Sequence, residues 1–528
     1  AIGSVQKNNA NDPELEREAI EVSNGKNPDV SKNSRLGKDF VIPNENTGVV
    51  QGFSGSTLKT VVEDEIVVRP SEGTLLTSSD TSQYQDCKNI KIDESVTKID
   101  DKAFIGFENL ITIDMPNVTE IGQGAFYRCT NLKEISMPNI SEIGSSAFEY
   151  CENLIKIDIS NVTIIGESTF NECIGLKEIN MPNVKEICND AFWGCEGLMK
   201  IDIPNITRTE KNTFNVCTNL KEINIQNVKE IGELTFSGLV NLSKVNMLNV
   251  NEIGKGAFMN CKSLRSAEMP HVTKIDEAAF WVCTSLSSVN MLNVKEIGIS
   301  AFVNCQSLDS VDVSGVTEIS MKTFYRCTNL SKVNMLNVSK IGKEAFMSCK
   351  SLSSAEMPSV KEIGERAFGD CTNLSKVNML NVSKIGKEAF MSCTSLSSVE
   401  MPSVKEIDER AFGDCTNLKK VALLYCCNYP KTAFPDECQV EYKDIPDISD
   451  ISRLKLIQLY ENGIIKPGKF LKDINIGTVN FASEENYYLL LDALYSKSVK
   501  LADVISRFSI KQDDLLTRDK YGFDIYDA

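Results

Sequence analysis

Residues 329–372 read NLSKVNMLNVSKIGKEAFMSCKSLSSAEMPSVKEIGERAFGDCT, which is two successive copies of one 22-residue repeat. The same period extends in both directions from this stretch. A phenylalanine occupies the same slot in sixteen successive repeats, from Phe104 to Phe434, and a leucine follows six residues later in the first fifteen. A period sustained over this length predicts a repeat protein in which each repeat stacks on its neighbours.

A second period of 44 residues lies inside the first. Residues 373–416 repeat residues 329–372 with three differences, at Lys350 and Thr394, Ala355 and Val399, and Gly364 and Asp408. The array therefore grew by duplication of pairs, and its surface chemistry alternates from one repeat to the next. Two interpretations stay open: the alternation matches a ligand with its own repeating structure, or the duplication left a surface that no ligand selected.

Each position in the repeat has a physical role. The repeat contains Leu, then Ile or Val, then Met. One outward residue separates the Ile or Val from the Met, and this alternation predicts a short, half-buried strand. A pair such as Pro138–Asn139 then ends the strand. Val and Ile return the chain to the core, and a glycine such as Gly144 is expected to permit a backbone turn before the Ala-Phe pair. One coil cannot bury this apolar face alone, so stacked coils are predicted.

The repeat resembles the BspA-like leucine-rich repeats, which carry the run I-P-x-x-V-x-x-I-G-x-x-A-F-x-x-C. The resemblance covers residues 87–438, although repeats of that family usually have one more residue in the turn before Val. It implies an α/β repeat fold, a leucine-rich-repeat solenoid with a curved parallel sheet on its concave face. It also implies display on a cell surface or secretion, with adhesion to or recognition of host or extracellular-matrix proteins.

The N-terminal flank differs from the array in composition. Residues 1–40 are rich in Asn, Asp, Lys, Ser and Glu, which predicts a flexible polar leader. Residues 41–86 contain the apolar pairs Val61–Val62 and Ile66–Val68, which predict two short strands. We interpret residues 41–86 as an N-terminal flank or cap of the first coil.

The C-terminal flank has a different periodicity. After the array of residues 87–438, a helical period appears in residues 451–460 and 484–508. Residues 439–528 are therefore predicted to form a small helical region, either a cap on the last coil or a small domain.

The cysteines follow the repeat. Thirteen of the 18 lie three residues after the repeat phenylalanine, from Cys129 to Cys415, and Phe107 and Leu239 fill the same slot in other repeats. Because apolar residues substitute for them, we predict that these thiols pack in the core as small hydrophobic groups with a weak donor.

Metal binding and disulfide formation need cysteines in other arrangements. The chain has no C-x-x-C motif and one histidine, so no metal site is predicted. Cys426, Cys427 and Cys438 lie close together at the end of the array. Their redox state stays open, because the cysteine count does not establish whether the compartment is oxidising.

Composition and inventory exclude several function classes. A net charge of −17 disfavours nucleic acid and anionic membrane surfaces, and no apolar run is long enough to form a transmembrane helix. His271 replaces the usual Asn of a turn, so it is a poor candidate for a catalytic triad or dyad. We predict no enzyme and no cofactor. A hydrolase that uses paired carboxylates is the remaining enzymatic alternative.

Two sets of residues are candidates for binding. The first, just before Met in each repeat, forms an acid and amide column on the expected concave face: Asp158, Asn180, Asp202, Asn224, Asn246, Glu268, Asn290 and Asp312. It predicts a protein partner with basic or hydrogen-bonding groups, and a merely soluble sheet face is the alternative. The second follows the repeat phenylalanine, where aromatic residues either pack between coils or anchor a partner: Tyr127, Trp193, Trp281 and Tyr325.

The leading functional hypothesis is therefore a non-enzymatic recognition or adhesion protein, surface-displayed or secreted, that binds a host or extracellular-matrix protein. The alternative is a cytoplasmic protein, either an intracellular scaffold or an effector delivered into another cell. It would act through the C-terminal helical region. The sequence does not identify the ligand or the oligomeric state.

Overall fold

The computed structural model describes residues 61–62, 65–424 and 427–443. The leader predicted for residues 1–40, the helical periods beyond residue 443 and Cys426 lie outside these described residues. The chain divides into two compact units, Ala1–Asn290 (unit 1) and Met291–Ala528 (unit 2). Both units are built from the same 22-residue coil, and the predicted leucine-rich-repeat solenoid is confirmed.

Each coil has three sides. The first side carries the predicted strand, and the second side carries a two-residue strand that ends at the isoleucine before the conserved turn slot. In unit 1 the first-side strands are Glu65–Val68, Asn89–Ile92, Thr112–Asp114, Glu134–Ser136, Lys156–Asp158, Glu178–Asn180, Lys200–Asp202, Glu222–Asn224, Lys244–Asn246, Ser266–Glu268 and Ser288–Val289. Its second-side strands are Leu75–Leu76, Lys98–Ile99, Glu120–Ile121, Glu142–Ile143, Ile164–Ile165, Glu186–Ile187, Glu230–Ile231, Glu252–Ile253 and Lys274–Ile275.

Unit 2 continues the same pattern. Its first-side strands are Ser310–Asp312, Lys332–Asn334, Ser354–Glu356, Lys376–Asn378, Ser398–Met401, Lys420–Leu424 and Gln439–Lys443. Its second-side strands are Glu296–Ile297, Glu318–Ile319, Lys340–Ile341, Glu362–Ile363, Lys384–Ile385 and Glu406–Ile407. Paired strands of successive coils are parallel and in register, so Asp158 lies beside Asn180 and Ser354 beside Lys376. Equivalent residues of neighbouring coils therefore form columns.

The third side contains the repeat phenylalanines. Their rings stack on those of the next coil with centroids 5.1 to 5.8 Å apart, and Phe126 and Phe368 have no accessible surface. The residues two before and two after each ring from Phe104 to Phe412 have positive φ, as in Ser146 (55°) and Tyr150 (60°). The N–H groups of Ser146, Phe148 and Tyr150 donate to carbonyls of the next coil at 2.8 to 2.9 Å. This side is thus a hydrogen-bonded ladder made of turns, which the sequence did not predict.

The glycine of each I-G pair has a different role from the one expected. Gly144 does not have a positive φ, so the turn itself does not require glycine. A Cβ at Gly144 would lie 2.6 Å from the backbone N of Gln123 in the preceding coil. The glycine therefore permits two coils to approach closely, and the expectation that it serves the turn is wrong.

The cysteine prediction is confirmed by burial. Cys129 and Cys371 have no accessible surface, and the Sγ of Cys129 donates to the carbonyl O of Phe104 in the preceding coil at 3.1 Å. At least twelve array thiols make this contact. Turn asparagines add a second ladder outside the core, since the Asn139 Nδ2 donates to the carbonyl O of Pro116 at 2.7 Å.

The ends of the described region continue the sheet. Val61–Val62 and Glu65–Val68 form an antiparallel pair, and Glu65–Val68 also pairs in parallel with Asn89–Ile92. The α-helix Ser78–Thr81 and the 3₁₀ helix Ser82–Tyr84 complete this first coil, and a second 3₁₀ helix spans Lys431–Ala433. At the other end, Gln439–Lys443 pairs in parallel with Lys420–Leu424. Cys438 is a free thiol.

Candidate functional site

The first-side strands present a regular polar surface, here called the strand face. In Lys156–Asp158 and Lys200–Asp202 the middle residue is buried between two exposed residues. The burial follows from strand geometry, because alternate side chains point to opposite faces. Each coil therefore adds two outward side chains to the strand face, one in each of two columns.

The predicted acid and amide column lies on this face. Asp158, Asn180, Asp202, Asn246 and Glu268 are exposed, whereas three members are half-buried: Asn224, Asn290 and Asp312. We call this column, with its continuation through Asn334, Glu356, Asn378 and Glu400, the acid–amide ladder. Seven of the eight predicted residues, from Asp158 to Asn290, thus lie in the column of unit 1, and Asp312 lies in the equivalent column of unit 2.

Neighbouring members of the ladder bind each other. The Asn180 Nδ2 donates to Asp158 Oδ1 at 3.1 Å, and the same contact recurs in other pairs: Asn224 to Asp202 (2.8 Å), Asn334 to Asp312 (3.1 Å) and Asn378 to Glu356 (3.0 Å). Asp158 Oδ1 also accepts from the backbone N–H of Ser160 at 3.0 Å. These contacts fix the carboxylates in place before any ligand arrives.

Hydrogen bonds also lower the pKa of two ladder carboxylates, Asp312 and Glu356. Partial burial raises the pKa of Asp312, but hydrogen bonds from Ser314 and Asn334 outweigh it and leave the pKa below its usual value. The pKa of Glu356 is lowered by the hydrogen bond from Asn378 and by Lys376. Both groups therefore carry full negative charge at neutral pH.

A second column on the strand face carries charge of both signs. Within this column Lys156 lies 3.7 Å from Glu178, and Lys200 lies 3.6 Å from Glu222. Lys376 of this column lies 3.1 Å from Glu356 of the acid–amide ladder. All these side chains are at least half exposed, so each pair contributes little to stability, on the order of 0 to 1 kcal/mol. The lysines reduce the negative potential of the ladder beside them.

The aromatic candidates divide into two groups by burial. Trp281 and Tyr325 are 6% and 9% exposed, which leaves little of either ring for a partner to contact. Tyr127 and Trp193 are half-buried.

Tyr127 belongs to a cluster that the sequence did not single out. Its ring packs edge-on against Tyr150 at 5.7 Å, and the Arg128 guanidinium lies over both rings at 5.4 and 5.5 Å. Burial raises the pKa of the nearby Glu149 carboxyl. The sequence contained a signal for this cluster. Tyr150 occupies the slot two residues after the repeat phenylalanine, and Arg128 occupies the same slot in the preceding coil.

The described residues offer little for catalysis. His271 is exposed in its turn, and no group of three or more His, Cys, Asp or Glu side chains in the described part of the chain is placed to hold a metal ion. Burial raises the pKa of Cys129 and of Cys261 to about 12, so neither thiol forms a nucleophilic thiolate at neutral pH. Among the helices of the described residues, none is long and apolar enough to cross a membrane.

Comparison with known protein families identifies the family to which the repeats belong. Four overlapping stretches match the BspA type leucine rich repeat region: residues 76–163, 141–265, 251–359 and 339–461. No curated protein matches the sequence.

Several solved structures are similar. A leucine-rich repeat protein from Bacteroides ovatus is 26% identical, with a TM-score of 0.52, over 73% of this chain and 98% of that chain. A leucine-rich repeat protein from T. pallidum is 26% identical over 35% of this chain and 87% of that chain, with a TM-score of 0.28. A leucine rich cell surface protein from Faecalibacterium prausnitzii is 21% identical over 76% of this chain and 97% of that chain, with a TM-score of 0.27.

Proposed function

Because the chain belongs to the BspA-type leucine-rich repeat family, we propose that it is a non-enzymatic recognition protein that binds a protein ligand through its strand face. The observation that carries the proposal is the acid–amide ladder, in which amide donors hold successive carboxylates in fixed positions. Because these groups are already fixed, their side chains lose less conformational entropy when a ligand binds than mobile side chains would.

The chemistry of the ladder indicates the class of ligand. Asn180 and the backbone of Ser160 both donate to Oδ1 of Asp158, which leaves Oδ2 as an acceptor for a donor from a ligand. The ladder repeats such acceptors along the strand face, and the chain has a net charge of −17. Complementary charge accelerates association and excludes acidic partners. We therefore expect a basic protein segment, or one rich in side-chain amides.

A second contact region lies on the third side of unit 1. Tyr127, Arg128 and Tyr150 form a compact cluster, and Trp193 occupies the Tyr127 slot three coils later. Tyr, Trp and Arg are the residue types that contribute most to protein interfaces. This cluster supplies the aromatic anchors that the strand face lacks.

The proposal includes display on a cell surface or secretion, which the family resemblance supports. Protease treatment of intact cells tests the location, with a cytoplasmic protein as the control. Loss of the array from intact cells is the expected result. Full protection would direct attention to an intracellular role.

Charge reversal tests the binding face. A variant with Asp158→Lys, Asp202→Lys and Asp312→Lys should bind at least tenfold more weakly to partners captured from extracellular-matrix protein or from cell lysate. The control reverses three exposed carboxylates of the second side, Glu142→Lys, Glu186→Lys and Glu362→Lys, and changes net charge equally. Equal losses in both variants, or no saturable binding by the unmodified chain, would contradict the proposal.

A further inference from the structure

In unit 1, strand pairing stops on two of the three sides at the boundary between the coil of Phe192 and the coil of Phe214. We call this boundary the joint. On the first side, Glu178–Asn180 and Lys200–Asp202 belong to separate sheets. On the second side, Glu186–Ile187 pairs, among the described strands, only with a strand of the preceding coil, because residues 207–210 form no strand.

Backbone hydrogen bonds that link coils on the second side are also missing at the joint. The N–H groups of Lys185 and Cys188 donate to carbonyls of the preceding coil at 2.8 and 2.9 Å. Within the described part of the chain, the equivalent groups one coil later, those of Thr207 and Glu210, make no such bond. The N–H of Thr209 instead donates to a carbonyl of the following coil at 3.1 Å. On its second side, this coil is therefore bonded to the coil after it and not to the coil before it.

Two residues of this coil explain the direction of its bonds. Glu210 occupies the slot that holds glycine in most coils, and a Cβ in that slot meets the preceding coil, at 2.6 Å in the case of Gly144. Thr209 occupies the slot of a buried isoleucine, and its Oγ1 accepts from the N–H of Gly232 in the following coil at 3.0 Å. The Glu210 side chain thus keeps the preceding coil at a distance, while Thr209 binds the following one.

The third side crosses the joint without interruption. The N–H of Asp190 donates to the carbonyl O of Lys211 at 3.0 Å, and the N–H of Phe192 donates to that of Thr213 at 2.9 Å. The Phe192 and Phe214 rings stack with centroids 5.3 Å apart. The two coils are therefore held together along one side, as the two plates of a hinge are.

A side-chain hydrogen bond closes the joint at the corner between the first and second sides. The Asn205 Nδ2 donates to the carbonyl O of Pro182 at 2.7 Å. The same contact joins Asn139 to Pro116 at a boundary where the strands of both sides pair. At the joint, the asparagine contact has no strand pairing beside it, so it carries a larger share of the closure there.

We propose that the joint is a hinge at which unit 1 bends about its third side, and that Asn205 is the latch that holds the hinge closed. The joint lies between Asn180 and Asp202 of the acid–amide ladder, so bending changes the distance between the two parts of the ladder in unit 1. This inference stands independently of the ligand-binding proposal, since it concerns motion within the chain alone.

Thiol labelling of the full chain tests the hinge, because a thiol in the core reacts only when the structure around it opens. Ile201→Cys places a thiol beside the joint. Ile113→Cys is the matched control, since both isoleucines are buried and Thr112–Asp114 pairs with strands of both neighbouring coils. Iodoacetamide should modify the new thiol of Ile201→Cys at least tenfold faster, as measured by mass spectrometry of the labelled peptides. The native thiol of Cys217 is fully buried and bonds across the joint to the third side, so it should stay protected.

Removal of the latch should open the hinge further. Asn205→Ala should raise the labelling rate of Ile201→Cys at least tenfold. Asn139→Ala removes the same contact at a paired boundary, so it should leave the rate of Ile113→Cys unchanged. Equal effects of the two alanine substitutions would contradict the assignment of Asn205 as the latch.

The reverse variant tests the cause of the joint. Thr209→Ile with Glu210→Gly gives this coil the residues of its neighbours, so it should restore strand pairing and lower the labelling rate of Ile201→Cys to that of the control. Three results would overturn the proposal: equal labelling of the two isoleucine variants, a rate that the reverse variant does not lower, or labelling of Cys217 as fast as that of the new thiol. The last result would show that the coils separate completely instead of bending about the third side.

Discussion

Units 1 and 2 each have the same type of core, but they carry alternating charge at different positions of the repeat. On the strand face of unit 1, the column from Glu134 to Lys244 alternates Glu and Lys. In unit 2 the same column alternates Ser and Lys, from Ser310 to Lys420. Alternating charge in unit 2 occurs instead at the slot two residues before the phenylalanine: Lys322, Glu344, Arg366, Glu388 and Arg410.

This difference gives the 44-residue period a physical reason. Neighbouring coils place equivalent residues about 5 Å apart, so a strict 22-residue repeat of a charged residue would stack like charges. A two-coil period stacks opposite charges, as in Arg366 with Glu388 at 2.6 Å and Lys343 with Glu365 at 3.1 Å. Duplication in pairs therefore preserves ion pairing within the array, without requiring a ligand that also repeats.

The largest loss of stability should come at alkaline pH, and it tests the type of core found in both units. Burial raises the pKa of Cys129 and Cys261 from the ordinary 9.0 to about 12. Because the folded pKa is raised, this contribution to stability is complete below pH 9 and is lost as pH rises toward 12. Each such thiol lowers the free energy of unfolding by about 1.4 kcal/mol per pH unit in this window. Burial also raises the pKa of eight further array thiols.

Urea unfolding, followed by circular dichroism between pH 8 and 10.5 with reductant present, measures the loss. The matched control is Cys261→Leu, which copies Leu239 of the preceding coil. It should reduce the slope above pH 9 by the contribution of one thiol. A stability that does not change between pH 9 and 10.5 would contradict the prediction.

Removal of one stacked ring from each unit should have the next largest effect. Phe214→Ala in unit 1 and Phe368→Ala in unit 2 should each cost about 3 to 5 kcal/mol, because both rings are fully buried between two others. Both tryptophans lie in unit 1, so their fluorescence reports that unit, whereas circular dichroism reports both. Only Phe214→Ala should shift the fluorescence transition strongly. Equal shifts from both variants would show that the units unfold together.

The shared core is also what the sequence predicted best. One slot holds Phe in sixteen repeats, and another holds Cys, with Leu239 as an apolar substitute. Both patterns indicate burial directly, because only packing explains them. Stacked coils follow from the same period. Burial of Trp281 was not predictable, because its slot holds Trp281 in one repeat and Gly369 in another.

Contacts between coils were harder to predict than the columns themselves. The pairing of Asp158 with Asn180 requires that residues 22 apart be in register, which the period implied, and also that the amide face the carboxylate, which it did not. The positive φ at Glu344 and Arg366 left no sequence signal, because these slots hold charged residues rather than glycine. Backbone hydrogen bonds between coils impose that conformation.

The partly buried ion pair between Arg366 and Glu388 in unit 2 provides a smaller effect. Glu388 is 7% exposed and binds Arg366 Nε at 2.6 Å, so Glu388→Ala should cost about 1 to 3 kcal/mol. Glu409→Ala is the matched control, since Glu409 pairs with Lys387 at 3.1 Å but both side chains are half exposed. Its expected cost is below about 1 kcal/mol. Equal urea midpoints for the two variants would show that burial does not strengthen this ion pair.

The smallest effects distinguish the two 44-residue copies within unit 2. A Cβ at Gly364 would lie 2.7 Å from the carbonyl carbon of Gly342, so Gly364→Asp requires a backbone shift and should cost about 1 to 3 kcal/mol. Asp408 fills the equivalent slot one copy later, which shows that a coil can adjust, and the cost should therefore be at the lower end of this range. Lys350→Thr copies the other exposed difference between the two copies, and it should leave the urea midpoint unchanged within error. If Gly364→Asp were equally neutral, close approach of the coils would not explain the glycine, and its recurrence would reflect duplication alone.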